Sequence, residues 1–178
     1  MGISIAGRHM KLFDAAERNG TLEWGDLQTL VDRRVRDCSL ARGSAEILKE
    51  GYEKVFSELV SRAGGASRLN RLQFVEAMRD VTSDGSGMNA FESLARNVFD
   101  AVDRNENGQV RKDEFVRFVR DTTPGTSEDQ ALCLFTQLDT DGKGVIDHQE
   151  AISSVREFLT SLNPKSIAGG VFVYLGVD

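Results

Sequence analysis

Apolar residues recur along this chain at the spacing of a helix rather than of a strand. Phe91, Leu94, Ala95, Val98, Phe99 and Val102 fall at i, i+3, i+4, i+7, i+8 and i+11, one stripe on a 3.6-residue repeat. Phe115, Phe118 and Val119 continue the pattern, followed by Leu132, Phe135 and Leu138, then by Ile152, Val155, Phe158 and Leu159. Strand-like alternation is almost absent. Pro124 and Pro164 stand where helices should stop or restart, and the run from Ser83 to Gly87 makes a turn-rich boundary between halves. The pattern predicts an all-α chain of eight helices in four pairs.

A repeat underlies the four pairs. A glycine-centred turn followed by one apolar residue and a new amphipathic helix occurs four times, placing Leu22, Leu69, Val110 and Ile146 at equivalent positions. These residues are expected to meet two by two, Leu22 with Leu69 and Val110 with Ile146.

The third turn carries the clearest chemistry. Residues 103–114 satisfy D-x-[DN]-x-[DN]-G-x5-E at every specified position. Calcium is a hard cation that takes six to eight oxygens in a flexible shell. Asp103, Asn105 and Asn107 would offer side-chain oxygens, Gln109 its backbone carbonyl, and Glu114 both carboxylate oxygens. Arg111 has no oxygen to give, so water would fill the ninth vertex. The fourth turn, residues 139–150, keeps the frame with Asp139, Asp141, Lys143, Val145 (by its carbonyl) and Glu150. Lys143 stands where an oxygen belongs, and an ammonium only donates. Its long stem is expected to point outward, leaving a backbone or water oxygen in its place. His148 is expected to be an exposed loop residue. Two Ca2+ sites are therefore expected.

The first two turns have drifted. The first cannot be aligned from both ends. Counted back from Leu22, Ala15 takes the first ligand position and Asp26 the twelfth, whereas counted forward from Phe13, Glu17 takes the first and the loop is about two residues short. Glu17, Asn19, Glu23 and Asp26 could therefore form only an irregular site. The second, from about Arg62 to Gln73, contains no carboxylate inside the loop and is expected to serve packing.

Four such units, a degenerate second one, the Gly20-Thr21-Leu22-Glu23-Trp24 turn and an apolar tail resemble the EF-hand superfamily, and within it the calerythrin and sarcoplasmic calcium-binding protein branch. The resemblance implies four EF-hand helix-loop-helix units in two pairs, arranged compactly as in sarcoplasmic calcium-binding proteins. Residues 1–86 would form a degenerate amino-terminal pair, 87–162 a calcium-binding pair, and 163–178 an apolar tail.

Composition narrows the functions. Of 178 residues, 40% are apolar and 28% charged, the ordinary range for a folded chain. The net charge of −6 lies wholly in residues 87–178, since residues 1–86 hold equal numbers of each sign. That sign disfavours nucleic acid. No apolar run is long enough to span a bilayer, and the start lacks a signal-peptide core. Cys38 and Cys133 read as two reduced, mostly buried thiols. The expectation is a cytoplasmic, monomeric, non-catalytic calcium-binding protein with no membrane partner. Only four methionines are present, which argues against a Met-rich sensor groove. The apolar stretch from Ile167 to Leu175 could plug a crevice from within. A calcium buffer is accordingly the first reading; a calcium-dependent regulator that exposes a surface to a protein target is the alternative.

Overall fold

The computed structural model describes residues 4–37 and 42–172. Among these residues lie eight α-helices, four short strands and one 3-10 helix. The first hand is α1 (Ile5–Ala16), β1 (Thr21–Leu22) and α2 (Trp24–Asp37), and the second is α3 (Arg42–Arg62), β2 (Leu69–Asn70) and α4 (Arg71–Asp84). The third is α5 (Met88–Val102), β3 (Gln109–Arg111) and α6 (Lys112–Thr122); the fourth is α7 (Glu128–Leu138), β4 (Val145–Asp147) and α8 (His148–Thr160). The 3-10 helix follows at Pro164–Phe172. Cys38 and the last part of the expected plug, Val173 to Leu175, lie outside the described residues.

Local sequence explains where the helices start. Ser127, Asn70 and Asp147 each accept the amide of the residue three places on, while Gln130, Gln73 and Glu150 return a bond to the cap amide. These reciprocal capping boxes satisfy donors that the first helical turn otherwise leaves open. The loops then pair antiparallel, Leu22 opposite Leu69 and Val110 opposite Ile146, as the repeat predicts. All four side chains are buried.

The core is a single cluster running from Phe13 to Phe172. The turn-rich stretch at 83–87 is a tight corner between α4 and α5, with residues 83–86 exposed. Arg62 bonds Glu58 Oε1 at 2.8 Å, Ser86 Oγ at 2.6 Å and the Asp84 carboxylate, whose pKa its guanidinium pulls down to about 2. A side chain at Gly87 would strike Val81 Cγ2 and Glu58 Oε1, both at 2.8 Å, so α4 and α5 turn on a residue that must stay small. The 3-10 helix lies on α8, with Ala168 and Phe172 buried, and covers the carboxyl-terminal pair from within the chain. Among the described residues no helix is long and apolar enough to cross a membrane.

Cys133 departs from expectation. It is exposed, its sulfur accepting from Gln137 Nε2 at 3.4 Å. Helix α7 buries Ala131, Phe135 and Leu138, a stripe that leaves position 133 on the opposite face.

Candidate metal centre

The fourth loop begins where α7 ends and closes on the first turn of α8. Gly144 adopts φ 82°, a left-handed conformation that suits glycine, and its amide donates to Asp139 Oδ2 at 2.9 Å. Glu150 is 9% exposed and reaches back across the loop. Its Oε1 accepts from Thr140 N at 2.8 Å, Thr140 Oγ1 at 2.9 Å and Asp141 N at 3.3 Å. Its Oε2 accepts from Asp147 N at 3.1 Å, the capping-box bond. One capping carboxylate thus starts α8 and faces the loop.

Asp139, Asp141 and Glu150 converge there, with oxygens all within 4.8 Å of one another. Two oxygens on one calcium stand at most about 5 Å apart, given metal–oxygen distances of about 2.5 Å. Asp139 Oδ1 is buried and has no hydrogen-bond partner. Such an oxygen is costly unless something neutralises it, and a cation does so directly. The donor set is all oxygen, as a hard cation requires.

The Lys143 side chain is 70% exposed, as its long stem allows, yet its ammonium sits 2.5 Å from Asp141 Oδ2, and its amide donates to Asp141 Oδ1 at 3.1 Å. The side-chain bond from Lys143 is the main reason the Asp141 carboxyl is held below its ordinary range, and Asp141 in turn raises the Lys143 pKa. The nearest carboxylate is two residues away across a tight turn, so the exposed ammonium pairs with it at the loop's surface.

The third loop has the same skeleton. Gly108, at φ 77°, donates to Asp103 Oδ2 at 2.7 Å, and Asn107 N reaches Asp103 Oδ1 at 3.3 Å. Asp103 is 4% exposed. Asn107 Oδ1 accepts from Gln109 N at 2.9 Å. Glu114 Oε1 accepts from Asn105 Nδ2 at 2.8 Å and Oε2 from Arg111 N at 3.0 Å. The structure thus draws Asn105 and Glu114 together, and folds Asp103 and Asn107 onto their own loop. Gln109 and Val145 lie in the paired strands β3 and β4, with Gln109 opposite Asp147 and Val145 opposite Arg111.

The first loop does not gather its carboxylates. Glu17 Oε2 accepts from Gly20 N at 2.5 Å, Asp26 Oδ2 from Glu23 N at 2.9 Å, and the Glu23 carboxylate pairs with Arg68 at 2.9 Å. Among the described residues the one cluster of three metal-capable side chains is that of the fourth loop. His148 is not a loop residue. It opens α8, half-buried, with Nε2 2.7 Å from Asp100 Oδ1 and its ring 4.1 Å from that of Phe99. Thr140, whose amide and hydroxyl orient Glu150, has no signature in the motif because its position there is unspecified.

The EF-hand domain pair family matches residues 73–122, and the EF hand family matches residues 134–150. Calerythrin of Saccharopolyspora erythraea is 27% identical over 147 residues, covering 79% of this chain and 82% of calerythrin. Calcium-loaded apo-aequorin from Aequorea victoria shares the fold with a TM-score of 0.74 at 18% identity, over 90% of this chain and 92% of aequorin. A Streptomyces coelicolor calcium-binding protein does so at 0.68 and 19%, over 94% and 99% of the two chains. With paired helix-loop-helix units, loops of the calcium-binding type and these likenesses, the chain is a calcium-binding member of the EF-hand superfamily.

Proposed function

We propose that this chain is a calcium-dependent regulator, which takes up calcium in its carboxyl-terminal pair and responds by exposing an apolar surface to a protein partner. The observation that carries the calcium part is Asp139 Oδ1, a buried oxygen with no partner inside a cluster of three carboxylates. Asp103, Asn105, Asn107, Glu114 and the Gln109 carbonyl would hold one ion. Asp139, Asp141, Glu150 and the Val145 carbonyl would hold the second, with Lys143 giving at most its backbone oxygen or a place for water. Bound calcium supplies positive charge among carboxylates that otherwise repel. Residues 87–162 are then the binding half and residues 1–86 the responding half.

Support for regulation over storage comes from the amino-terminal half. A cavity of about 70 Å³ lies there, walled mostly by that half, Leu12, Leu22, Leu27 and Met78 among others, and closed by Phe91 and Leu94 of α5. Well-packed interiors rarely leave such a space, and helices around it can shift at lower cost than in a filled core. The similar fold from Streptomyces coelicolor is that of a protein of prokaryotic calcium-mediated regulation. The exposed free thiol of Cys133 suits a reducing, cytosolic setting.

A buffer is the second reading, favoured by the 3-10 helix that already covers α8 with Ala168 and Phe172. An apolar fluorescent dye titrated with and without calcium separates the two. Strong calcium-induced emission from folded protein is expected of the regulator. Calcium uptake by calorimetry with no dye response would select the buffer.

A further inference from the structure

Arg8 is buried, 6% exposed, and among the described residues its acceptors are neutral. Nη1 donates to Phe158 O at 3.0 Å, Ser161 O at 2.7 Å and Ser166 Oγ at 2.6 Å, and Nη2 donates to Asn163 O at 3.1 Å. The guanidinium also lies 5.8 Å from the centre of the Phe158 ring. Next to it, His9 Nε2 is 3.4 Å from Leu159 O. Two successive residues of α1 thus grip the last turn of α8 and the segment that leads into the 3-10 helix.

Part of this is capping. The final carbonyls of a helix lack intrahelical donors, and a cation suits that end of the dipole. Capping alone does not require that the donor come from a helix some 150 residues away in sequence, nor that a guanidinium be buried among carbonyls and a hydroxyl.

The two ends of α8 explain the placement. Glu150 lies in its first turn and closes the fourth loop, whereas Phe158 and Leu159, roughly 14 Å along the axis at 1.5 Å per residue, sit in the grip of α1. Helix α1 continues to Leu12, Ala15 and Ala16, which wall the amino-terminal cavity opposite Leu27 and Leu30 of α2. A packed helix passes a displacement along its length instead of absorbing it.

We infer that Arg8 is a latch that couples the fourth calcium loop, through α8, to the apolar cavity of the amino-terminal half. This rests on the reading above that the fourth loop takes calcium. Helix α8 also touches α5, through His148 with Asp100 and Arg156 with Glu92, and α5 reaches the same cavity through Phe91 and Leu94, so altering Arg8 alone isolates the α1 route. Arg8, beside His9, joins α8 to α1.

Trp24, the single tryptophan, reports on the responding half: it opens α2 and its ring lies 6.3 Å from that of Phe56. In the full chain, calcium is titrated while calorimetry follows uptake and Trp24 emission follows the amino-terminal response. The wild-type chain is expected to show both, and Glu150→Gln to lose one ion together with most of the emission change. Arg8→Ala is expected to keep both ions while its emission change falls about fivefold, the lower range of an allosteric coupling. Arg8→Lys, whose point-like ammonium cannot span four acceptors, should lie between; it keeps the test open if the alanine variant fails to fold, as circular dichroism would show. A folded Arg8 variant with calcium uptake and an undiminished emission change overturns the latch. Wild-type uptake with no emission change overturns it too, whereas no uptake at all overturns the calcium reading instead.

Discussion

Lys143 holds its ammonium against Asp141, so any cation entering the fourth loop competes with a charge the chain supplies itself. Lys143→Asp removes that competitor and restores an oxygen at the fifth position. Calcium affinity at the fourth site should rise on the order of tenfold at low salt, and less where salt screens the exposed pair. Calorimetry in a Glu114→Gln background isolates this site; an unchanged constant would show that the ammonium moves aside without cost. Glu114→Gln itself should reduce two ions to one, because an amide offers one oxygen where a carboxylate offers two. At His9 the governing effect is burial, which lowers the pKa from its ordinary 6.5; the bond to Leu159 opposes this and neighbouring Arg8 adds to it. A folded pKa below the unfolded one means that the unfolded chain binds more protons through this window, so stability falls as pH drops below about 6.5. The melting temperature should decline from pH 7 to pH 5, and His9→Gln should flatten that decline; equal slopes would count against a buried neutral imidazole.

Among elements, the 3-10 helix sets the tightest packing requirement. A β-carbon at Gly169 would lie 2.0 Å from Ser154 O of α8, a clash with backbone that no rotamer relieves. Gly169→Ala should therefore cost about 1–3 kcal/mol by overpacking. Gly25→Ala, where nothing lies within 4 Å of the added carbon, should be neutral or slightly stabilising in α2. Thermal melts of the two variants compare them directly, and equal melting temperatures would mean that the 3-10 helix does not stay docked on α8. The sequence anticipates the helices and the loop register because both depend on local periodicity and on one apolar residue at a fixed place after each glycine turn. Leu22, Leu69, Val110 and Ile146 need no knowledge of distant contacts. Arg8 is different: as one arginine on an otherwise ordinary helix, it gains its meaning only from carbonyls far along the chain. The exposure of Lys143 is legible from its long stem, but its pairing with Asp141 is not, because the turn's shape decides which carboxylate lies nearest. Cys133 is misjudged because helical surroundings alone do not say which face of α7 a residue takes.

At the scale of the molecule, the acidic imbalance of residues 87–178 and the order of the calcium loops are one question. Two calcium ions would change the net charge from −6 to −2, and relief of repulsion is one way that calcium could stabilise the fold. Completion of a coordination shell around Asp139, Asp141 and Glu150 is another. The two differ in what can substitute for calcium. Repulsion alone is relieved by any salt, since the Debye length shrinks to about 3 Å at 1 M. A buried oxygen without a partner is satisfied only by an ion that enters the loop. Free calcium at a hundredfold above the dissociation constant adds about 2.7 kcal/mol for each site that forms only in the folded chain. At roughly 2–4 °C per kcal/mol for a chain of this length, one site alone raises the melting temperature by about 5–11 °C. The rise should appear in calcium over chelator, persist in 1 M sodium chloride, and vanish in the Glu114→Gln, Glu150→Gln double variant. If 1 M sodium chloride alone reproduced it, the carboxylates of the second half would be acting as a diffuse charge rather than as ligands.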